Sequence, residues 1–213
     1  MINLSASKLN LLLDCERCFW LVMVKNVKRP SGPISSIPIK MDSIIKGYYN
    51  RYRGGILPPI LNGQVKGRLA VGMPLTLRYE PFKGVFLQGR PDDYVEQGDE
   101  NVVALDNKTS SKAPPEIHPS HQLQSDIYSY LLMKNKYKTI PRAYLAYFSP
   151  RESDVDEVMT LTCSVIEVCT NPDRVDSLMR KAVQVLNGSI PYPGQNCPYC
   201  GWIQSLAKFP MVG

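Results

Sequence analysis

Residues 102–111 read VVALDNKTSS. Val102, Val103, Ala104 and Leu105 form the apolar run of a buried strand, and no turn residue separates them from Asp106, Asn107 and Lys108. Side chains alternate across a strand, so Asp106 and Lys108 project to one side and Asn107 to the other. One hairpin earlier, GRPDDYV (89–95) delivers Asp92 and Asp93 to a strand end or bend. If the two strands pair, the carboxylates of Asp92 and Asp106 converge. Two convergent carboxylates bind a hard divalent cation such as Mg²⁺ or Mn²⁺, and an adjacent ammonium orients water or offsets negative charge. That chemistry suits phosphodiester hydrolysis. A lone Asp-x-Lys at a strand end is more often a surface ion pair, so the surroundings must decide.

Working outward, the pattern on either side is that of strands and helices in alternation. LTLRYE, VFLQGRPDDYV and NVVALDN read as three strands of an antiparallel meander, separated by PFKG and EQGDE. HQLQSDIYSYLLMKN is helical, with Leu123, Ile127, Tyr130 and Leu131 as one apolar stripe. AYLAYF and VMTLTCSVIEV are two further strands, the second with Met159, Leu161, Cys163 and Val165 facing inward and Cys163 and Cys169 acting as small hydrophobes. A last helix is capped by Asn171, has Pro172 in its first turn and stops at Gly188, with Val175, Leu178, Met179, Ala182 and Leu186 on its buried face. A Pro-rich segment follows.

Before the strands, Ser5 or Ser7 caps a first helix with Leu9, Leu12 and Leu13 on one face and Cys15 and Cys18 at its end. KRPSGPISSIP is a linker by composition, and KMDSIIKGYYNRYR is a second helix stopped by Gly54 and Gly55. The order predicts an α/β (α+β) domain with a mixed central sheet flanked by helices.

The chain has 213 residues, 44% hydrophobic and 21% charged, which suits a single domain over 1–213. LNLLLD is too short to span a membrane and lacks the layout of a signal peptide, so the expectation is a cytoplasmic protein with no membrane partner. Net charge is +6, and residues 1–70 carry eleven Lys and Arg against Asp14, Glu16 and Asp42. Clustered cations suit a polyanionic partner, although a solvated surface explains the charge equally well. Tyr48, Tyr49 and Tyr52 stand among Lys46, Arg51 and Arg53, an arrangement that serves either base stacking or a half-buried core.

Cys15, Cys18, Cys197 and Cys200 form two CxxC pairs at opposite ends of the chain. Four thiolates suit Zn²⁺ or an iron–sulfur cluster, and such a site would join residues 1–30 to residues 190–213 as one metal-stapled subregion.

Taken in order, Gly89-Arg-Pro-Asp92, Asp106-Asn-Lys108 followed by Thr109, and Gln124 with Tyr128 at helical spacing resemble the PD-(D/E)XK nuclease superfamily. More narrowly, they look like its RecB-type branch. SASKLNLLLDCERCFWL and CPYC are similar to the opening segment and terminal cysteines of the iron–sulfur subset, which includes AddB-type nucleases and the nucleases of CRISPR adaptation. The resemblance implies a restriction-endonuclease-like core and a metal-dependent DNA nuclease, exonuclease-like on single-stranded or end-containing DNA, in repair, phage or CRISPR-adaptation settings and alongside other DNA-processing proteins. Asp92 and Asp106 would be the metal ligands, with the backbone carbonyl of Asn107 completing the set and Asp93 the alternative to Asp92. Lys108 would be the catalytic lysine, and Gln124 and Tyr128 would face the site or the DNA. A [4Fe–4S] cluster is implied at the four cysteines, with Zn²⁺ the alternative, since the two-plus-two split departs from the subset's one-plus-three pattern.

The upstream histidine of many RecB-type nucleases is missing. His118 and His121 both follow the Asp-x-Lys and read as plain loop residues. The helix in the equivalent place offers Asp42, a substitute ligand, and Lys46, a phosphate contact. The rival reading is a nucleic-acid-binding or adaptor module that kept the fold and the cysteine site but lost turnover.

Overall fold

The computed structural model describes residues 1–33 and 35–209. Along the chain lie β1 (Ile2–Leu4), α1 (Ala6–Asp14), α2 (Glu16–Lys25), α3 (Ser36–Asn50), β2 (Arg68–Leu69), β3 (Leu77–Phe82), β4 (Val85–Gly89) and β5 (Asp93–Gln97). There follow β6 (Asn101–Thr109), α4 (Pro119–Lys134), β7 (Arg142–Arg151), β8 (Thr160–Cys169), α5 (Asp173–Asn187) and α6 (Pro198–Leu206). Residues 210–213 of the expected C-terminal subregion lie outside the described residues.

VVAL forms the inner half of β6, in the middle of a five-stranded sheet ordered β2-β5-β6-β7-β8. Both faces of β6 are covered, which is why its apolar run is continuous. Val103 and Leu105 meet Ile45 and Tyr49 of α3, while Ala104 faces Leu123 and Ile127 of α4. β6 and β7 are parallel and the other pairs antiparallel, so the sheet is mixed and α4 is the crossover that parallel strands require. The fold is thus the mixed α/β architecture expected, with helices flanking a curled mixed sheet.

The expected meander breaks at one place. VFLQGRPDDYV is two strands in two sheets: β4 joins β1 and β3, and β5 joins β6. Arg90–Asp92 is the bend between them, where Pro91 has no N–H to offer a ladder. At Gly89, the last residue of β4, a Cβ would stand 3.0 Å from Tyr128 Cε1 and 3.1 Å from Leu131 Cδ1. α4 therefore packs directly on the backbone of the GRPD segment.

α4 carries the expected stripe and more, for Ser125, Asp126, Tyr128, Ser129 and Leu132 are buried as well. Ser125 Oγ donates to His121 O at 3.0 Å, and Asp126 Oδ1 accepts from Gln122 Nε2 at 2.9 Å and from Asn171 N at 2.8 Å, while its Oδ2 is ion-paired to Arg174 at 3.1 Å. Asn171 is thus occupied by Asp126, and the residue capping α5 is Pro172, one position later than expected. Gly188 ends α5 as expected, and Val175, Leu178, Met179 and Ala182 are buried, with Leu186 packed at the edge.

Other expectations shift. The first helix is two, because extended Cys15 (φ −163°, ψ 111°) breaks it, and Leu13 is exposed while Leu9 and Leu12 are buried. α3 begins at Ser36, inside the segment read as a linker, because Pro38 is tolerated in a first turn. Met159 precedes β8 and is exposed, and Cys169 is exposed too, since β8 is an edge strand whose ends outrun its cover; Cys163 and Val165 do pack inward. The Pro-rich tail contains a helix, α6, whose start Pro198 supports.

Candidate active site

The antiparallel register of β5 and β6 sets Asp93 opposite Leu105, which places Asp92, one residue before β5, across from Asp106. Asp92 replaces the missing backbone ladder with its side chain, for Oδ2 accepts the Asn107 N–H at 2.9 Å. The N–H and C=O of a strand residue point to one flank, so the Asn107 carbonyl also faces Asp92. Asp106 and Lys108 share the α4 face of β6, with Lys108 Nζ 2.5 Å from Asp106 Oδ2. Asn107 faces α3, where its Oδ1 accepts from Tyr49 OH at 3.1 Å.

α4 supplies the other wall. Gln124 and Tyr128 lie one turn apart. Lys108 Nζ donates to Gln124 Oε1 at 2.7 Å, and Gln124 Nε2 donates to Tyr128 OH at 2.8 Å and, more weakly, to Asp106 Oδ1 at 3.4 Å. Tyr128 OH donates to Arg90 O at 3.1 Å, which ties the relay to the bend that presents Asp92. Burial pushes the Asp106 carboxyl up to about 6, against the pull of Lys108 and with help from the Asp92 charge. Asp106 Oδ2 is buried with the ammonium beside it but no directed hydrogen-bond donor. Two facing carboxylates and a carbonyl flank are the oxygen donors that a hard divalent cation takes, so these residues fit such an ion.

α3 closes the third side. Lys46 Nζ donates to Asp42 Oδ2 at 2.7 Å and reaches Asp92 Oδ1 at 3.0 Å. Burial works against the Lys46 ammonium, but its hydrogen bonds to Asp42 and Asp92 outweigh that and raise its pKa. Asp42 lies at the mouth, half exposed. Asp93 is fully buried and committed elsewhere, since Arg53 grips it at 2.9 and 2.6 Å. That engagement leaves Asp92, not its neighbour, facing the site.

Of the two histidines, His118 lies in the loop directly before α4, as expected, and His121 does not. His118 caps α4 by accepting from Ser120 N at 3.2 Å, and His121 lies in α4, with Nδ1 3.0 Å from Tyr147 OH. Burial, then the nearby charges of Lys108 and His118, press His121 down to about 4. Of the three tyrosines on and after α3, Tyr49 is core and fully buried, while the rings of Tyr48 and Tyr52 pack at a tilt, with centroids 5.2 Å apart.

Cys15, Cys18, Cys197 and Cys200 are all buried, and their sulfurs lie within 4.8 Å of one another. Burial pushes the Cys15 thiol up, but the backbone N–H groups of Cys18 and Gly194 and the thiols of Cys18 and Cys197 bring it down to about 7. Gly194 passes close to the cluster, where a Cβ would press on Cys15 Sγ at 3.1 Å and on Cys197 Cβ at 3.2 Å. Arg29 leans over the cluster. Its Nη2 donates to Cys197 Sγ at 3.4 Å, its guanidinium lies 4.5 Å from the Tyr199 ring, and Nη1 pairs with Asp14. A cation beside four thiols favours the thiolates that metals bind. The four cysteines thus form a group that can hold a metal and that joins the N- and C-terminal regions.

Sequence reading missed Tyr49, Arg53 and Arg29 as supports of these sites. Tyr49 and Arg53 stand in a basic, aromatic stretch whose pattern does not say which residues turn inward. Arg29 lies in a segment with linker composition and gives no signal at all.

No helix among the described residues is long and apolar enough to cross a membrane. No curated protein matches the chain. One solved structure, described as the crystal structure of SSO0001, is 14% identical, covers 99% of this chain and 86% of its own, and superposes with a TM-score of 0.49. The family model described as the PD-(D/E)XK nuclease superfamily matches residues 59–205, a stretch that contains Asp92, Asp106, Lys108, Gln124, Tyr128 and the second CxxC pair. With most of its length inside that match, the chain belongs to the PD-(D/E)XK nuclease superfamily.

Proposed function

We propose that the protein is a divalent-metal-dependent DNA nuclease of the RecB-type branch, acting on single-stranded or end-containing DNA. The observation that carries this is the convergence of Asp92, Asp106 and Lys108 at the end of the β5–β6 pair under the Gln124–Tyr128 relay. Asp92, Asp106 and the Asn107 carbonyl would hold Mg²⁺ or Mn²⁺, which when bound activates water and neutralises the scissile phosphate. Lys108 presents its ammonium to a phosphate oxygen and offsets the charge that grows there in the transition state. Gln124 aims that ammonium by accepting from it, and Tyr128 fixes the Gln124 amide against the Arg90 carbonyl. The basic excess of residues 1–70 supports a nucleic-acid partner.

The test is degradation of labelled DNA by purified protein with Mn²⁺ or Mg²⁺. Asp106→Ala and Lys108→Ala should each abolish cleavage while DNA binding persists. Lack of cleavage with either metal, together with salt-sensitive binding, would instead establish the adaptor reading, which the lysine ion-paired to Asp92 favours.

At the cysteines we read a single tetrahedral ion, Zn²⁺, in place of the cluster that the family resemblance implies. Zn–S bonds of about 2.3 Å set tetrahedral sulfurs about 3.8 Å apart. The Cys15–Cys200 and Cys18–Cys197 sulfurs are separated by 3.8 and 3.7 Å. A cubane binds each thiolate to a different iron and spreads the sulfurs further. Colourless protein with one zinc per chain, after anaerobic purification, is the expected result; visible iron–sulfur absorbance would overturn it.

A further inference from the structure

The ammonium of Lys46 stands between two carboxylates, 2.7 Å from Asp42 Oδ2 and 3.0 Å from Asp92 Oδ1. A divalent ion bridging those two oxygens would occupy the same place. We propose that Lys46 is a resident cation of the active site, filling the cation position between Asp42 and Asp92, so that the site accepts one divalent ion, on the Asp106 side, and not two. This inference rests on the metal-nuclease reading.

Three observations carry it. The first is placement: Asp42 and Lys46 are one turn apart on α3, and the same helix buries Ile45 and Tyr49 against β6, so the lysine is held over the strand end and is not free to wander. The second is the state of Asp92, both of whose oxygens are taken, Oδ1 by Lys46 and Oδ2 by the Asn107 N–H. Asp106 Oδ2 has the Lys108 ammonium beside it but no directed hydrogen-bond donor, and Asp106 Oδ1 has only the long 3.4 Å contact from Gln124, so the open coordination lies on the Asp106 side. The third is charge. Asp42, Asp92 and Asp106 oppose Lys46 and Lys108, which leaves one net negative charge. One divalent cation and one phosphodiester anion bring the site to neutrality. A second divalent cation would leave it strongly positive in a partly buried setting, where uncompensated charge is costly.

An open groove lined by Pro38, Ile39, Asp42, Asn107, Lys108 and Thr109 leads to the same point. Lys108 lines this groove, and Asp42, which lines it too, holds Lys46 at its edge. Lys46 then supplies, as a fixed charge, part of the neutralisation that a second ion would otherwise bring.

The test counts Mn²⁺ on the purified full chain by equilibrium dialysis and EPR, relative to an Asp92→Asn/Asp106→Asn double variant that removes the carboxylate site. Wild type should bind one Mn²⁺. Lys46→Met and Lys46→Gln should bind two, with the EPR signature of a coupled pair, while Lys46→Arg should stay at one. Circular dichroism checks that each variant folds. Two ions on the wild type, a result that needs no variant to fold, would overturn the inference, as would a single ion on both folded neutral variants. Either result leaves the nuclease reading standing. No ion on the wild type would bring down that reading and this inference with it.

Discussion

Asp92 and Asp93 are adjacent and chemically identical, yet one faces the site at the strand end and the other is sealed under Arg53. The alternation of a strand separates them, and the sequence states that alternation without saying which parity faces the site; the Arg53 partner, forty positions away, settles it. His121 shows the opposite limit. It looks like a loop residue, but α4 carries it against Tyr147 and close to the Lys108 charge. Its folded pKa, about 4, lies below its ordinary 6.5. The unfolded chain therefore binds the proton more readily, so the stabilisation is complete above 6.5 and is lost as pH falls from there toward 4. Asp106, held up at about 6, takes up a proton in the folded state over the same window and opposes this loss. The His121 contribution is therefore read as a difference: in urea titrations the unfolding midpoint of the wild type should fall relative to that of His121→Gln as the pH drops. An unchanged slope in the variant would show that the imidazole does not report on folding.

Strongly patterned elements were the legible ones. β6, α4 and α5 announce themselves because continuous burial or a 3.6-residue period leaves a mark on every turn. The three-residue β1, the two-residue β2 and the tail helix α6 leave too short a pattern to register. The split of VFLQGRPDDYV into β4 and β5 was hidden for another reason: either sheet would accept the same apolar residues, and Pro91 marks a break without saying that the two halves join different sheets. The contact of α4 with Gly89 is testable. Gly89→Ala puts a methyl 3.0 Å from the Tyr128 ring, and overpacking of this kind costs about 1–3 kcal/mol. The ring must give way, and with it the hydrogen bond that holds Gln124 to Lys108 in line. Nuclease activity of the variant should fall further than its melting temperature predicts, whereas a loss in proportion to unfolding would mean the contact is only structural.

At the scale of the molecule, two sites at different places share one scaffold: carboxylates at the end of the β5–β6 pair, and thiols where the two ends of the chain meet. The second was legible as a pair of CxxC motifs, because spacing alone implies four thiols; its partner Arg29 was not. Removing the metal with a strong chelator, or replacing Cys200 with Ser, should release α6 and the start of α2. The expected loss of stability is roughly 3 kcal/mol or more, the scale of opening a long loop. Limited proteolysis should then cut the tail first and leave the β5–β6 core intact, and a tail that stays protected without metal would mean that apolar packing alone holds it. Cys15 and Cys200 meet across 185 positions of sequence. No shorter nascent chain possesses that coordination sphere, so loading waits until synthesis has passed Cys200. A ribosome that stalls before that point leaves Cys15 and Cys18 without their two partner thiols, and occupancy of the four-cysteine site would become a record that translation had passed Cys200.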